Sequence, residues 1–475
     1  MKKFIFLFFV LLIPGFFYFL LGNNKEPLKL ENPSLEVLSD TNIQKEIAKL
    51  EEEAPGQNVT PLPPPARKLI ILSVDGFPAY YSEDESILNL MPNFRKLMKK
   101  ANFSNKVRSV YPTLTYPSHT SMITGLDPSA HGITSNRPID PFEKKTDGAW
   151  YWYKEDIKVP TLWDYAKKNG LKTGSVYWPV SVGAEINYNI PQYWRYKNEE
   201  DIKLLKALSS PGLYKMVQER TGIDVAEYTG DTEKMRAGIE IWKSKQPDLL
   251  FIYTTDIDSA HHYNGGVYSK TAKQKISKID ELIGLLIDEI NLYKKKNIGL
   301  IIISDHGFKK YNAICYPNNI LRRMGHIVLR KKQWNYYFRS HGGMATLVKN
   351  DGDDLVNGNI IDMRVLQRRV KQSCPGVVFT SKGKLFDRVK KKLSPETEGV
   401  LYTTKSVIFS RSIYNSVTFN SHVYPGSHHG FLPFDDDMYT IGLMYPPFTK
   451  RPMRKVTDVF YYACNWLKIN CRKEM

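Results

Sequence analysis

KLIILSVDGF, residues 68–77, is the stretch on which the fold turns: a run of Leu, Ile and Val broken only by Ser73 leads straight into Asp75-Gly76. A continuous apolar run of this length predicts a strand buried on both faces, the kind found in parallel sheets. Two other stretches repeat the pattern. DLLFIYTT, residues 248–255, runs into Asp256 and Asp258, and IGLIIIS, residues 298–304, runs into Asp305-His306-Gly307. Helical segments lie between such runs, Lys270 to Lys294 being the clearest. The expectation is an α/β protein with a mostly parallel central sheet and helices on both faces. Ligands of such sheets bind beyond the carboxyl ends of the strands, so the three acidic clusters are expected to share one rim.

The 475 residues suffice for a large core, and residues 68–475 are read as one catalytic domain with an inserted cap region. Residues 138–245 read as helices and loops able to carry that insertion over the site, and they are dense in aromatics such as Trp150, Trp152, Trp178 and Trp194. A composition of 42% hydrophobic and 24% charged residues excludes wholesale disorder and a multispan membrane protein. The formal charge of +18 favours approach of anionic substrates, but the lysine clusters are short and scattered. A solvated surface accounts for them, and no nucleic acid partner is expected. None of the four cysteines forms a C-x-x-C pair, which argues against a thiolate metal site. Cys464 and Cys471 are spaced to pair if oxidised, although a chain of this size needs no disulfide framework.

At the N-terminus, Lys2-Lys3 precedes an uncharged run from Phe4 to Leu21, interrupted only by Pro14-Gly15. Residues 1–22 are read as a signal peptide or an uncleaved membrane anchor, which places the body in the periplasm or outside the cell. Residues 23–67 are polar, end in Pro61-Leu62-Pro63-Pro64-Pro65, and read as a stiff spacer.

The acids and histidines persuade only as a set. Asp75, Asp258 with His262, Asp305 with His306, and His429 within Gly426-Ser427-His428-His429-Gly430 offer oxygen and nitrogen ligands without thiolate, a set that suits two zinc ions. Two such metals neutralise phosphoryl oxygens and ionise a hydroxyl. The segment YPTLTYPSHTSMITGLDPSAHGITSN, residues 111–136, supplies Thr113, Thr115, Ser118, Thr120 and Ser121, among which residue chemistry alone does not choose.

That segment, together with Val74-Asp75-Gly76-Phe77, Asp258 to His262, Ser304 to Gly307 and His428-His429-Gly430, resembles the nucleotide pyrophosphatase/phosphodiesterase family of the alkaline phosphatase superfamily over roughly residues 68–450. The resemblance implies an alkaline phosphatase-like fold and hydrolysis of a phosphodiester or pyrophosphate bond in a small phosphoester, nucleotides first. It makes Thr115 the nucleophile, which attacks phosphorus in line and forms a covalent intermediate, and Asn136 a holder of the phosphoryl oxygen. One zinc would belong to Asp75, Thr115, Asp305 and His306, the other to Asp258, His262 and His429. Tyr116 and Trp178 are the implied substrate contacts.

Four departures bear on the carry-over. His261 stands beside His262 and His428 beside His429, so a one-residue shift would exchange the ligand in either pair. Ser118 replaces an asparagine of many animal members, and Trp178-Pro179-Val180 lacks the glycine usual after the Trp-Pro pair. His119 and His131 are read as braces of local turns, and His326, His341 and His422 carry no signal. The competing readings are a phosphomonoesterase or phosphonate hydrolase of the same superfamily and a non-catalytic phosphoester-binding protein. Oligomeric state is not readable from the sequence.

Overall fold

The computed structural model describes residues 66–144, 150–195, 198–226, 229–263, 265–356 and 359–471. The apolar run at residues 4–21, and the spacer up to residue 65, lie outside the described residues. Among the described residues no helix is long and apolar enough to cross a membrane.

The three apolar runs form three neighbouring strands. β1 (Lys68–Val74) lies in a seven-stranded sheet with β2 (Asn102–Val107), β3 (Thr173–Val176), β4 (Tyr188–Ile190), β5 (Leu249–Thr254), β6 (Ile298–Ile303) and the strand Thr440–Tyr445. The spatial order is β2, Thr440–Tyr445, β6, β1, β5, β3, β4. β6, β1, β5, β3 and β4 run parallel, while Thr440–Tyr445 is antiparallel to both β6 and β2. Every residue of β5 and β6 is buried, as the lack of polar alternation in their sequences requires.

Alternation along β5 shows how both faces are covered. Ile252 packs into helix Asp231–Lys245 at Gly238, where an added Cβ would come within 2.5 Å of its Cδ1. Phe251, on the opposite face, meets the rings of Trp163 and Trp178 at 5.9 and 5.1 Å between centroids.

Residues 138–245 are not the insertion expected of them. They supply β3, β4 and helix Asp231–Lys245, and so extend the central sheet by two strands. The sequence of β3, Thr-Gly-Ser-Val, is too short and too poor in large apolar residues to stand out as a strand. The added substructure lies instead between β6 and Thr440–Tyr445. Its four antiparallel strands run in the order Tyr336–Ser340, Met344–Lys349, Thr397–Thr403, Val377–Thr380, with helices Met363–Ser373 and Lys384–Lys392 beside them. It has a core of its own, including Phe338, Leu347, Leu366, Phe379 and Leu401. A Cys315–Cys374 disulfide crosses it, which the sequence reading did not foresee, and Cys464 is bonded to Cys471.

Ile71, fully buried in the middle of β1, should be among the most sensitive core positions. Ile71→Ala is expected to lower stability by about 2–5 kcal/mol, read as a drop in the urea midpoint with little change in the m value.

Candidate functional site

Register brings the acids together. Val74 lies opposite Thr254 and Ser73 opposite Ile303, so β1, β5 and β6 end level and deliver Asp75, Asp258 and Asp305 to one rim. Gly76 makes the turn possible. Its φ is +66°, and a Cβ there would sit 2.6 Å from the Phe308 ring and 3.2 Å from the Asp258 Cα. Its N–H donates to Asp305 Oδ1 at 3.1 Å, tying the end of β1 to the end of β6. Asp258 lies in the first turn of helix Asp256–His262, which sets His262 one turn further on the same face. Asp231 holds the start of that helix, its carboxylate accepting the N–H groups of Thr255 at 2.7 Å and Asp256 at 2.9 Å.

The histidines are oriented by carbonyl groups. His429 Nδ1 donates to the Thr113 carbonyl at 3.0 Å, so its Nε2 is left as an acceptor. That atom lies 3.1 Å from His262 Nε2 and 3.8 Å from Asp258 Oδ1, and His262 Nε2 lies 3.5 Å from the same Asp258 oxygen. Across the site, His306 Nδ1 faces its neighbouring Gly307 carbonyl, and its Nε2 lies 3.4 Å from Asp75 Oδ1 and 3.2 Å from Asp305 Oδ2. The His306 and His429 rings stack with centroids 3.8 Å apart.

Such an arrangement fits cations. Asp75 Oδ1, Asp258 Oδ1, Asp305 Oδ2 and His306 Nε2 are all buried, yet none has a hydrogen-bond partner. Buried polar atoms are ordinarily satisfied, so four orphans converging on one point need a shared partner. The ligand atoms fall into two groups with all separations within 4.8 Å: Asp258, His262 and His429, and Asp75, Asp258 and His306. Burial, followed by the charges of Asp305 and Asp258, pushes Asp75 well above the ordinary carboxylate range. Burial also acts to raise Asp258, but His262, His306 and His261 outweigh it and hold that carboxyl below its ordinary value. His429 is driven well below the usual histidine range by burial and then by His306, His428 and His262, so its ring is a neutral donor ready to ligate.

The two adjacent-histidine ambiguities are resolved by position. His261 is fully buried, with Nε2 2.9 Å from the Tyr81 hydroxyl, which itself donates to the Val267 carbonyl; His262 is the one facing Asp258 and His429. His428 stands on the cavity wall, its Nδ1 donating to the His429 carbonyl at 2.9 Å, while His429 joins the cluster.

Thr115 opens helix Thr115–Thr124 and is almost wholly buried. His119, one turn on, donates from Nδ1 to the Thr115 carbonyl at 2.8 Å and accepts at Nε2 from Ser73 Oγ at 2.8 Å, linking the helix start to β1 beside Asp75. His131 similarly binds Ser121 Oγ at 2.9 Å and the Ile133 N–H at 3.2 Å, so both histidines brace turns as expected. Asn136 Oδ1 accepts the Tyr116 N–H at 3.0 Å, which leaves its NH2 group as the donor on the cavity side.

Neither expected substrate contact lines the cavity. Trp178 is fully buried beneath His119, rings 5.0 Å apart, and Tyr116 is 1% exposed, its hydroxyl donating to Gln192 Oε1 at 2.9 Å. Trp150, its ring tilted against that of Tyr116 with centroids 5.1 Å apart, takes the place on the wall. The cavity, about 820 Å³, runs from His262, His428, His429 and Asn136 to the added substructure at Tyr337, Arg339 to Gly342 and Phe409 to Tyr414. Sequence reading passed over Tyr253, whose hydroxyl donates to Asp75 Oδ2, and His341, which is buried on the cavity wall. Tyr253 sits within an apolar strand and His341 in an unpatterned stretch, so neither carried a signal.

A family model described as type I phosphodiesterase / nucleotide pyrophosphatase matches residues 69–373, well over half the chain. The chain belongs to this family. Human ectonucleotide pyrophosphatase/phosphodiesterase family member 1 is 32% identical over 251 residues, 51% of this chain and 23% of the relative. Venom phosphodiesterase 2 of Crotalus adamanteus is 27% identical over 255 residues, 52% of this chain and 27% of the relative. The chain thus matches only about a quarter of the length of these curated relatives. Among solved structures, an inactive threonine-to-alanine variant of murine ectonucleotide pyrophosphatase/phosphodiesterase 5 in complex with AMP superposes with a TM-score of 0.59 at 21% identity, covering 86% of this chain and 97% of that one. The human counterpart gives 0.57 at 20% identity. At that identity the likeness establishes the alkaline phosphatase-like fold. The family stretch holds Asp75, Thr115, Asp258, His262, Asp305 and His306, and His429 lies beyond it.

Because Asp258 belongs to both ligand groups, Asp258→Asn should disturb both at once. The variant is expected to retain metal at least tenfold more weakly than the wild type, measured as metal per chain after dialysis against graded chelator, because a neutral amide is a poorer ligand than a carboxylate.

Proposed function

We propose that the chain is a metal-dependent hydrolase of phosphodiester or pyrophosphate bonds, with nucleotides as its first substrates. The observation that carries this reading is the convergence of three carboxylates and three histidines, four of their buried ligand atoms unpartnered, beside a threonine at a helix start. Asp75, Asp305, His306 and Thr115 would hold one zinc ion and Asp258, His262 and His429 a second; the pair, when bound, supplies positive charge that lowers the pKa of a hydroxyl and neutralises phosphoryl oxygens.

The chain's own residues do the rest. Thr115 Oγ1 is held at the first turn of its helix, where the positive end of the backbone dipole favours an oxyanion. It attacks phosphorus in line, the new oxygen–phosphorus bond forming as the bond to the leaving oxygen breaks. Asn136, its Oδ1 engaged by the Tyr116 N–H, presents NH2 to a nonbridging oxygen and stabilises the charge that gathers there. Water then breaks the bond between Thr115 and phosphorus and restores the hydroxyl. Burial of the cluster strengthens each of these interactions.

Substrate preference rests on the relatives: the human relative is named an ectonucleotide pyrophosphatase/phosphodiesterase, and one solved relative carries AMP. We also read the protein as exported. Its two disulfides suit an oxidising compartment, relatives are named ectoenzymes, and the uncharged run at 4–21 would direct or anchor it.

Rates on thymidine monophosphate p-nitrophenyl ester, bis-p-nitrophenyl phosphate and p-nitrophenyl phosphate, with and without chelator, test the reading. A chelator-sensitive preference for the nucleotide diester is expected; preference for the monoester would overturn the substrate class. Thr115→Ala should keep its circular dichroism and most of its metal while losing turnover at least about a thousandfold. Wild-type activity in that variant would remove Thr115 as nucleophile.

A further inference from the structure

The edge of the central sheet opposite the acids is basic. Lys68 opens β1 and lies opposite Ile298, the first residue of β6, and Leu69 lies opposite Leu249, the first of β5. Thr173, which opens β3, lies opposite the same Leu249. The amino ends are therefore level, and the residues just before them share one edge. Lys172 precedes β3, Lys294-Lys295-Lys296 precede β6, and Lys99-Lys100 precede β2. Lys468 joins them after helix Asp458–Leu467, since Trp466 Nε1 donates to the Lys68 carbonyl at 2.8 Å. Lysine clusters that are scattered in the sequence are gathered here by the fold.

Each of these lysines is exposed, and among the described residues none forms an ion pair. The acids of the edge are fewer and mostly engaged. Asp248 pairs with Lys68 at 3.4 Å, Glu289 with Lys243 at 3.0 Å and Glu185 with Lys167 at 2.8 Å, while Asp288 is exposed. Tyr293, 37% exposed, stands among the lysines, its ring centroid 4.6 Å from Lys100 Nζ and its ring edge-on to Tyr445. From β2 to β3 the edge spans five interstrand steps, roughly 24 Å. A single small anion does not fill such a width, whereas an extended anionic surface meets all of it. A tyrosine amid lysines suits the headgroup level of a bilayer.

The chain also enters the body at this edge. Ala66 is the first described residue, and its carbonyl accepts the Asn297 side-chain N–H at 3.0 Å. Whatever holds residues 4–21 is thus tethered to the basic edge, while the acids and histidines stand at the other end of the same strands.

We propose that the amino edge of the central sheet docks on a bilayer bearing anionic headgroups and leaves the cavity turned to solvent. The hydrolase reading is not needed for this; the choice of lipid over nucleic acid rests on the export reading above. Attraction of this kind falls off within about 10 Å at 0.1 M salt, so the lysines must lie against the headgroups.

The test is brief acetylation of the full chain on vesicles, each lysine read by mass spectrometry. One set of vesicles is phosphatidylcholine alone, and the other carries about 30 mol% phosphatidylglycerol. Any hold through the apolar run is common to both, so the difference between them reports the face. Lys172, Lys295 and Lys468 should react at least about fivefold more slowly on the anionic vesicles, and about 0.5 M salt should abolish the difference. Lys382 and Lys384, exposed on the added substructure, should react equally on both. Equal rates at the edge, or the same slowing at Lys382 and Lys384, overturn the proposal. Joint replacement of Lys172→Glu, Lys295→Glu and Lys468→Glu should remove the protection of Lys294 and Lys296, whereas Lys382→Glu with Lys384→Glu should keep it. Loss in both variants reduces the effect to net charge and overturns the face. A DNA duplex that protects the edge better than vesicles of equal phosphate content overturns the lipid assignment in favour of nucleic acid.

Discussion

Three carboxylates held together at the end of a parallel sheet are the constraint on which the rest depends. Burial, and after it the repulsion of Asp305 and Asp258, holds Asp75 well above its ordinary titration range. Only rigid supports keep such groups in place, and β1 between β5 and β6 is such a support, its side chains buried on both faces. Each acid follows its strand at once or within a short helical turn, so the ladder itself sets their separation. The repulsion stored there is what a cation relieves, which joins the stability of the site to its chemistry.

Around the acids, neutral groups take up the orienting work. Carbonyl oxygens of Thr113, Thr115 and Gly307 accept one nitrogen of His429, His119 and His306 and so decide which nitrogen faces inward. His119 is the mechanical link among them, since it joins the helix that begins at Thr115 to Ser73 of β1. A displacement of the central strand would therefore be felt at the threonine. Asp231 performs the corresponding service for the helix bearing Asp258 and His262 by occupying the first N–H groups around its start.

The cavity combines two kinds of wall. One belongs to the central domain and ends at Asn136, Arg137 and Trp150; the other, with Tyr337, Arg339 and Arg411, is carried by the separate four-stranded sheet and its own core. The acidic and histidine cluster on the central sheet is thereby faced by a surface from a separately packed element, which can vary without disturbing the acids.

Sequence by itself determined the parallel centre of the sheet, the acidic rim and the company of histidines, because fully buried strands must be continuously apolar and their ends must turn in glycine or acid. β1, β5 and β6 fall within a residue or so of the runs read from composition. It left β3 and β4 unseen, since short strands with glycine, serine and asparagine carry no periodic signal, and it put the insertion in the wrong segment. Tertiary structure alone decided that His262 rather than His261 faces Asp258, that Trp178 and Tyr116 are covered while Trp150 is on the wall, and that Arg339 reaches the same cavity as Asn136 from 203 residues away. The physical reason is the same in each case: facing direction and burial depend on packing between elements distant in the chain, and adjacent identical residues differ only in which way the backbone turns them.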